Sequence, residues 1–231
     1  MDDLLNEEKF YIFPSIVQTI KRNIYISLLL DLYEYFPSTF HEESLFLAIH
    51  IYDIYINIKN IASRDLLIYS IIILWIADKF TISNIINIAT IFDFLEYEYN
   101  LYKIINIERD ILITIDYKVH LLSIYHFYTF FITKNNLNNR TYLNISSYFI
   151  KISMYTLTSK YLQSELAAAS IMLTTIILYN HHDLDLGSYN FDNLIEIINN
   201  IFDFHLKFKI SKCNLNRKFY LALIPSKLDL K

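Results

Sequence analysis

Residues 66–80 read LLIYSIIILWIADKF, a run that is apolar on every helical face until it meets the charged pair Asp78 and Lys79. A helix apolar all round belongs inside a bundle of other helices or inside a bilayer, and length separates the two. The 12 residues from Leu66 to Ala77 make about 18 Å of helix, against the roughly 30 Å of a hydrocarbon core. The stretch therefore reads as a buried core helix. Each fully buried Leu or Ile is worth roughly 1.5 to 3 kcal/mol over exposure, so this one helix can anchor a helical domain. Lys79 closes it. A lysine in the last turn complements the helix macrodipole and reaches water on its four-carbon stem, so spacing alone makes it a structural residue.

A chain of 231 residues with 54% hydrophobic content can bury two cores of about 100 residues each. One Gly and three Pro leave little turn chemistry for a β fold, and the class expected is all-α. The 20 Tyr and 17 Phe are scattered through helical patterns as packing residues. A formal net charge of -4 argues against nucleic acid as a partner, because neutralising phosphates needs a basic surface. No membrane partner is expected either. The single cysteine, Cys213, cannot form an internal disulfide and suits a reducing compartment. The start MDDLLNEEKF does not read as a secretory signal. Nucleus and cytoplasm are the expected locations, which makes the sequons at Asn139 and Asn144 chance matches.

Outward from the central run, Pro14 opens a helix in which Ile16, Ile20, Ile24, Leu28 and Leu32 recur to about Phe36, with Arg22 inside it. Pro37 and Ser38 break it. A second helix runs from Glu42 to Ile58, its two leading glutamates suiting the positive end. After the central helix, Thr81 to Ser83 reads as a turn, Ile85, Ile88 and Phe92 suggest a short helix, and Tyr99 to Ile115 a fifth. The pattern then restarts. Leu121 to Ile132 and Tyr142 to Leu157 are helical, joined by the polar KNNLNNR from Lys134. ELAAASIMLTTIILY, Glu165 to Tyr179, is again apolar nearly all round, with alanines that permit close helix approach. HHDLDLGSYN is a loop, and Phe191 to Phe208 a further helix. The expected organisation is a short segment 1–13, a domain 14–117, a second domain 118–208 and a basic tail 209–231. It amounts to two tandem five-helix units.

Catalytic chemistry is not legible. One glycine leaves no phosphate loop, and no nucleophile elbow appears. His181, His182, Asp183 and Asp185 read as a polar surface loop rather than a metal site. His50, His120, His126 and His205 read as packing or surface residues. No catalytic residue, metal or cofactor is expected.

Four charged residues tie these observations together. ESLFLAIHIYD from Glu43 to Asp53, WIADKF from Trp75 to Phe80 and IERDILITIDY from Ile107 to Tyr117 follow a first helix holding Arg22. In this the chain resembles the cyclins. Their box carries an arginine, then E-T-L-Y-L-A-V-x-x-x-D, then A-A-K-Y or A-A-K-F, then x-x-E-x-x-I-L-x-x-L-x-F/Y. The family's charged positions fall on Arg22, Asp53, Lys79 and Glu108, and the stretch from Asp53 to Glu108 aligns without a gap. KYLQSELAAASIMLT from Lys160 is similar to K-x-L-P-S-x-L-A-A-A in the second box of mitotic-type cyclins, with Gln163 in place of the proline.

The resemblance implies two cyclin folds and a role as the regulatory subunit, not an enzyme itself, of a cyclin-dependent protein kinase in a heterodimer. Cell-cycle control is the first expectation. A transcription-type or atypical cyclin, or a cyclin-fold scaffold that binds no kinase, is the alternative. Arg22 and Asp53 would form a structural ion pair. Lys79 and Glu108 would face the kinase, with Phe80, Leu112 and Tyr117 as apolar contacts around them. Substrates or inhibitors of the kinase are further partners the family implies. Its docking patch, M-R-A-I-L followed by a tryptophan, is degenerate here. Lys21, Arg22, Asn23, Ile24 and Tyr25 stand in its place, with Leu28 at the tryptophan position.

Overall fold

The run beginning at Leu66 folds as a helix that continues to Thr81, and every residue from Ile71 to Asp78 is buried. The computed structural model describes residues 19–35, 40–81, 89–90, 100–119, 122–155, 160–181, 183–208 and 224–225. Among them are eight α-helices and no strand. In chain order these are α1 (Thr19–Tyr35), α2 (Glu42–Ile58), α3 (Leu66–Thr81), α4 (Leu101–Thr114), α5 (Ile124–Lys134), α6 (Arg140–Ser153), α7 (Gln163–Tyr179) and α8 (Phe191–Phe208). A 3-10 turn, Ser63–Asp65, leads into α3. The chain divides into two compact units between Ser123 and Ile124.

In the first unit α3 packs against α1, α2 and α4. It is surrounded, which is why its sequence has no polar face. Glu42 and Glu43 occupy the first turn of α2, where negative charge suits the positive end of the helix. Asn100 caps α4, its side-chain oxygen accepting from the Lys103 amide at 2.8 Å. The short helix expected over Ile85 to Phe92 falls mostly outside the described residues; Ala89 and Thr90 are helical.

The apolar row of α1 is not the face the spacing suggests. Ile20 and Ile24 are exposed, whereas Tyr25, Ile26, Leu29 and Leu32 are buried. The reason is geometric: a step of four residues overshoots a 3.6-residue turn by about 40°, so a four-spaced row winds around the helix. It enters the core only at Leu32.

In the second unit α7 takes the central place, packed by α5, α6 and α8. Leu166, Ala167, Ala168 and Ala169 are fully buried there. Glu165 reaches back to accept from the Leu162 amide at 2.8 Å and closes the helix start. Helix α5 begins at Ile124, a turn later than the periodicity suggests, and Asn139 caps α6 through Thr141 and Tyr142. Tyr148 on α6 shares a 2.7 Å hydrogen bond with His205 on α8 inside the core. Gly187 turns the preceding loop at φ 69°, a conformation that costs a glycine little. No helix among the described residues is long and apolar enough to cross a membrane.

Candidate functional site

Helices α1 and α2 are locked by a buried ion pair. The Arg22 Nε–H donates to Asp53 Oδ1 at 2.7 Å and its Nη2 donates to Oδ2 at 2.9 Å, a two-pronged match of planar guanidinium to carboxylate. The two side chains are 10% and 1% exposed. Alongside, Tyr25 stacks on Tyr52 with ring centroids 3.5 Å apart, and its hydroxyl donates to the Ala48 carbonyl. Burial, with the neighbouring Tyr52 and Asp53, pushes the Tyr25 phenol well up. His50 lies in the same core, and burial lowers its pKa to about 4 against the opposing pull of Asp53.

That core position removes Tyr25 from the docking patch the resemblance implies. Among the other residues at those positions, Ile24 is exposed, Leu28 is half-buried and Lys21 is half-buried with its ammonium on Asn60 Oδ1 at 3.1 Å. Tyr25 contributes to packing and not to a surface, because its ring fills the space between α1 and α2.

The last turn of α3 and the middle of α4 bring Lys79 and Glu108 into contact. The Lys79 ammonium donates to Glu108 Oε1, with side chains 25% and 19% exposed. One turn back on α3, the buried Trp75 lies beneath the same ammonium, 3.1 Å from Nζ to the ring centroid. Phe80 beside it is 45% exposed. Leu112, one turn beyond Glu108, is half-buried, and its carbonyl accepts from the Tyr117 amide at 2.8 Å. Tyr117 is thereby returned to the end of α4, where its side chain is 63% exposed. This return uses two consecutive left-handed residues, Asp116 at φ 56° and Tyr117 at φ 54°. Each costs of order 1 kcal/mol for a residue with a Cβ.

Two supports fix this geometry from behind. The Tyr55 hydroxyl donates to Asp110 Oδ2 at 2.7 Å and the Lys59 ammonium donates to Oδ1, tying α4 to α2 two residues from Glu108. Partial burial opposes ionisation of Asp110, but the bonds from Lys59 and Tyr55 outweigh it and hold the carboxyl below its usual range. At the end of α3, the Ser44 hydroxyl donates to the buried Asp78 Oδ1 at 3.1 Å and lies 2.5 Å from the Thr81 hydroxyl.

Trp75, Asp110 and Asp78 were not legible as parts of this site. Trp75 had a signal, an aromatic residue four positions before a lysine on one helical face. Asp110 had none, since Lys59 and Tyr55 are about fifty residues away in sequence.

The arrangement offers recognition rather than bond chemistry. An ammonium and a carboxylate side by side, framed by exposed Phe80 and Tyr117, present a donor and an acceptor together beside apolar surface. Among the described residues no group of three His, Cys, Asp or Glu could hold a metal ion. Asp185 instead accepts from Lys134 and from the Gly187 amide, which together hold its carboxyl below the usual range.

No curated protein matches the sequence. The fold is similar to the crystal structure of a viral cyclin from herpesvirus saimiri, with TM-score 0.74 and 15% identity, over 88% of this chain and 95% of that one. Two family models match end to end: "Cyclin, N-terminal domain" over residues 5–120 and "Cyclin, C-terminal domain" over residues 122–221. With an all-helical architecture and both family domains in tandem, the chain belongs to the cyclin family.

Proposed function

We propose that this cyclin is the activating regulatory subunit of a cyclin-dependent serine/threonine protein kinase, acting in cell-cycle control in the nucleus and cytoplasm. The observation that carries the reading is the Lys79–Glu108 pair with Phe80 and Tyr117 exposed beside it. An ion pair needed only for stability is cheaply replaced at a surface, and exposed aromatics add nothing to it. Against a partner helix end, both become useful. Lys79 would donate to carbonyls of the kinase's regulatory helix, Glu108 would accept from N–H groups, and the aromatics would bury on contact.

Binding would favour the kinase conformation in which its lysine–glutamate pair and activation loop are in place. The cyclin would perform no chemistry. A second reading, a transcription-type or atypical cyclin, is favoured by one observation: Tyr25 is in the core, so the docking patch lacks a residue at its surface.

Co-purification with candidate cyclin-dependent kinases tests the proposal, using wild type, Lys79→Glu and Glu108→Lys. The expected result is binding and activation by wild type and loss of both in the variants. Phosphorylation of histone against the polymerase tail separates the two roles. A folded wild-type protein that binds no such kinase overturns both and points to a scaffold.

A further inference from the structure

We infer that Trp75 is a positioning residue whose ring face holds the Lys79 ammonium beside Glu108, ready for a partner. The inference rests on the reading of Lys79 as a partner-facing group. Three observations carry it. Trp75 and Lys79 are four apart on α3, so they share a face. Nζ lies 3.1 Å from the ring centroid, over the negative face of the indole. Trp75 is buried and the Lys79 side chain mostly so, which removes much of the water that would otherwise weaken a cation over a ring.

The chemistry explains why a ring serves here better than a second carboxylate. An ammonium has three N–H donors and no acceptor. Glu108 takes one. A further acidic residue would take another and cancel the charge the partner is meant to meet. The indole face attracts the ammonium without consuming a lone pair and without adding charge. It holds the flexible four-carbon stem bent toward α4, so less rotamer freedom is lost when a partner arrives. Leucine at this position would stay apolar, fill less of the core and give no such attraction.

The chain has one tryptophan, so tryptophan emission reports on the surroundings of this one ring, the Lys79 ammonium among them. In the free protein, Lys79→Met is expected to change the emission, and Lys79→Arg, which keeps a cation over the ring, to leave it near wild type. An emission unmoved by Lys79→Met, in protein of native circular dichroism, overturns the inference. Kinase titration then tests the consequence. Trp75→Leu should weaken binding roughly 3- to 10-fold, Trp75→Phe should recover most of it, and Trp75→Leu should add nothing in the Lys79→Met background. Equal losses in both backgrounds mean that the tryptophan only packs, and overturn it too. A wild-type chain that binds no kinase overturns the partner reading instead; the emission comparison then decides on the contact.

Discussion

Arg22 and Asp53 show what a buried charge demands. Each is acceptable because the other is within 2.9 Å on both prongs. Asp53→Ala or Arg22→Ala should therefore cost on the order of 3 to 5 kcal/mol in urea unfolding, since a lone charge is left in the core. Arg22→Met with Asp53→Leu should recover most of that loss. His50, three residues from Asp53, gives a pH effect of known sign. Its folded pKa is about 4, below the roughly 6.5 of an unfolded histidine. Between these values the unfolded chain holds the extra proton, so stability is complete above about pH 6.5 and is lost toward pH 4. The slope contributed is at most about 1.4 kcal/mol per pH unit, and His50→Gln should remove it from a series of urea titrations. At this scale it was the resemblance, and not the placement of charge, that singled out Arg22, Asp53, Lys79 and Glu108, which the structure brings together in pairs. The sequence was silent where the partner alone gives meaning, as with Asp110 and its bonds from Tyr55 and Lys59.

Helices were legible when they were surrounded. Runs apolar on every face, in α3 and α7, announced two cores, and α2 begins and ends where its glutamates and its last isoleucine suggested. Faces were less legible than helices. The row Ile20, Ile24, Leu28, Leu32 runs from solvent to core. In α4 the row Leu101, Ile105, Glu108, Leu112 turns away from Ile104, Ile107 and Ile111, which are the buried ones. Which of the two rows faced the core was not legible, because both carry Ile or Leu. Helix ends carry a test of their own. Helix α7 terminates at Asn180 with φ 53°, whose N–H donates to the Ile176 carbonyl at 3.0 Å. Asn180→Ala should cost about 1 kcal/mol in thermal unfolding, because alanine resists the left-handed conformation, and Asn180→Gly should match or slightly exceed wild type.

For the molecule as a whole, the proposed function asks the Lys79–Glu108 pair, which joins α3 to α4, to serve a partner as well. Exchanging the two charges, Lys79→Glu together with Glu108→Lys, keeps an ion pair between α3 and α4 but inverts the polarity offered outward. The unfolding free energy should then fall by about 1 to 2 kcal/mol, because the carboxylate at position 79 loses the attraction of the Trp75 ring, while kinase co-purification is lost. Failure to fold along with loss of binding would assign the pair to the fold. The two-unit organisation was legible because the pattern of one apolar helix among amphipathic ones occurs twice, and the chain divides between Ser123 and Ile124. The buried Arg22–Asp53 pair also bears on how such a chain changes over generations. A single replacement at either position leads through a poorly folded intermediate, so selection separates the present pair from any apolar substitute. A lineage crosses only by changing both codons together or by first gaining stability elsewhere. Surface positions drift one at a time; these two are inherited, or abandoned, as a unit.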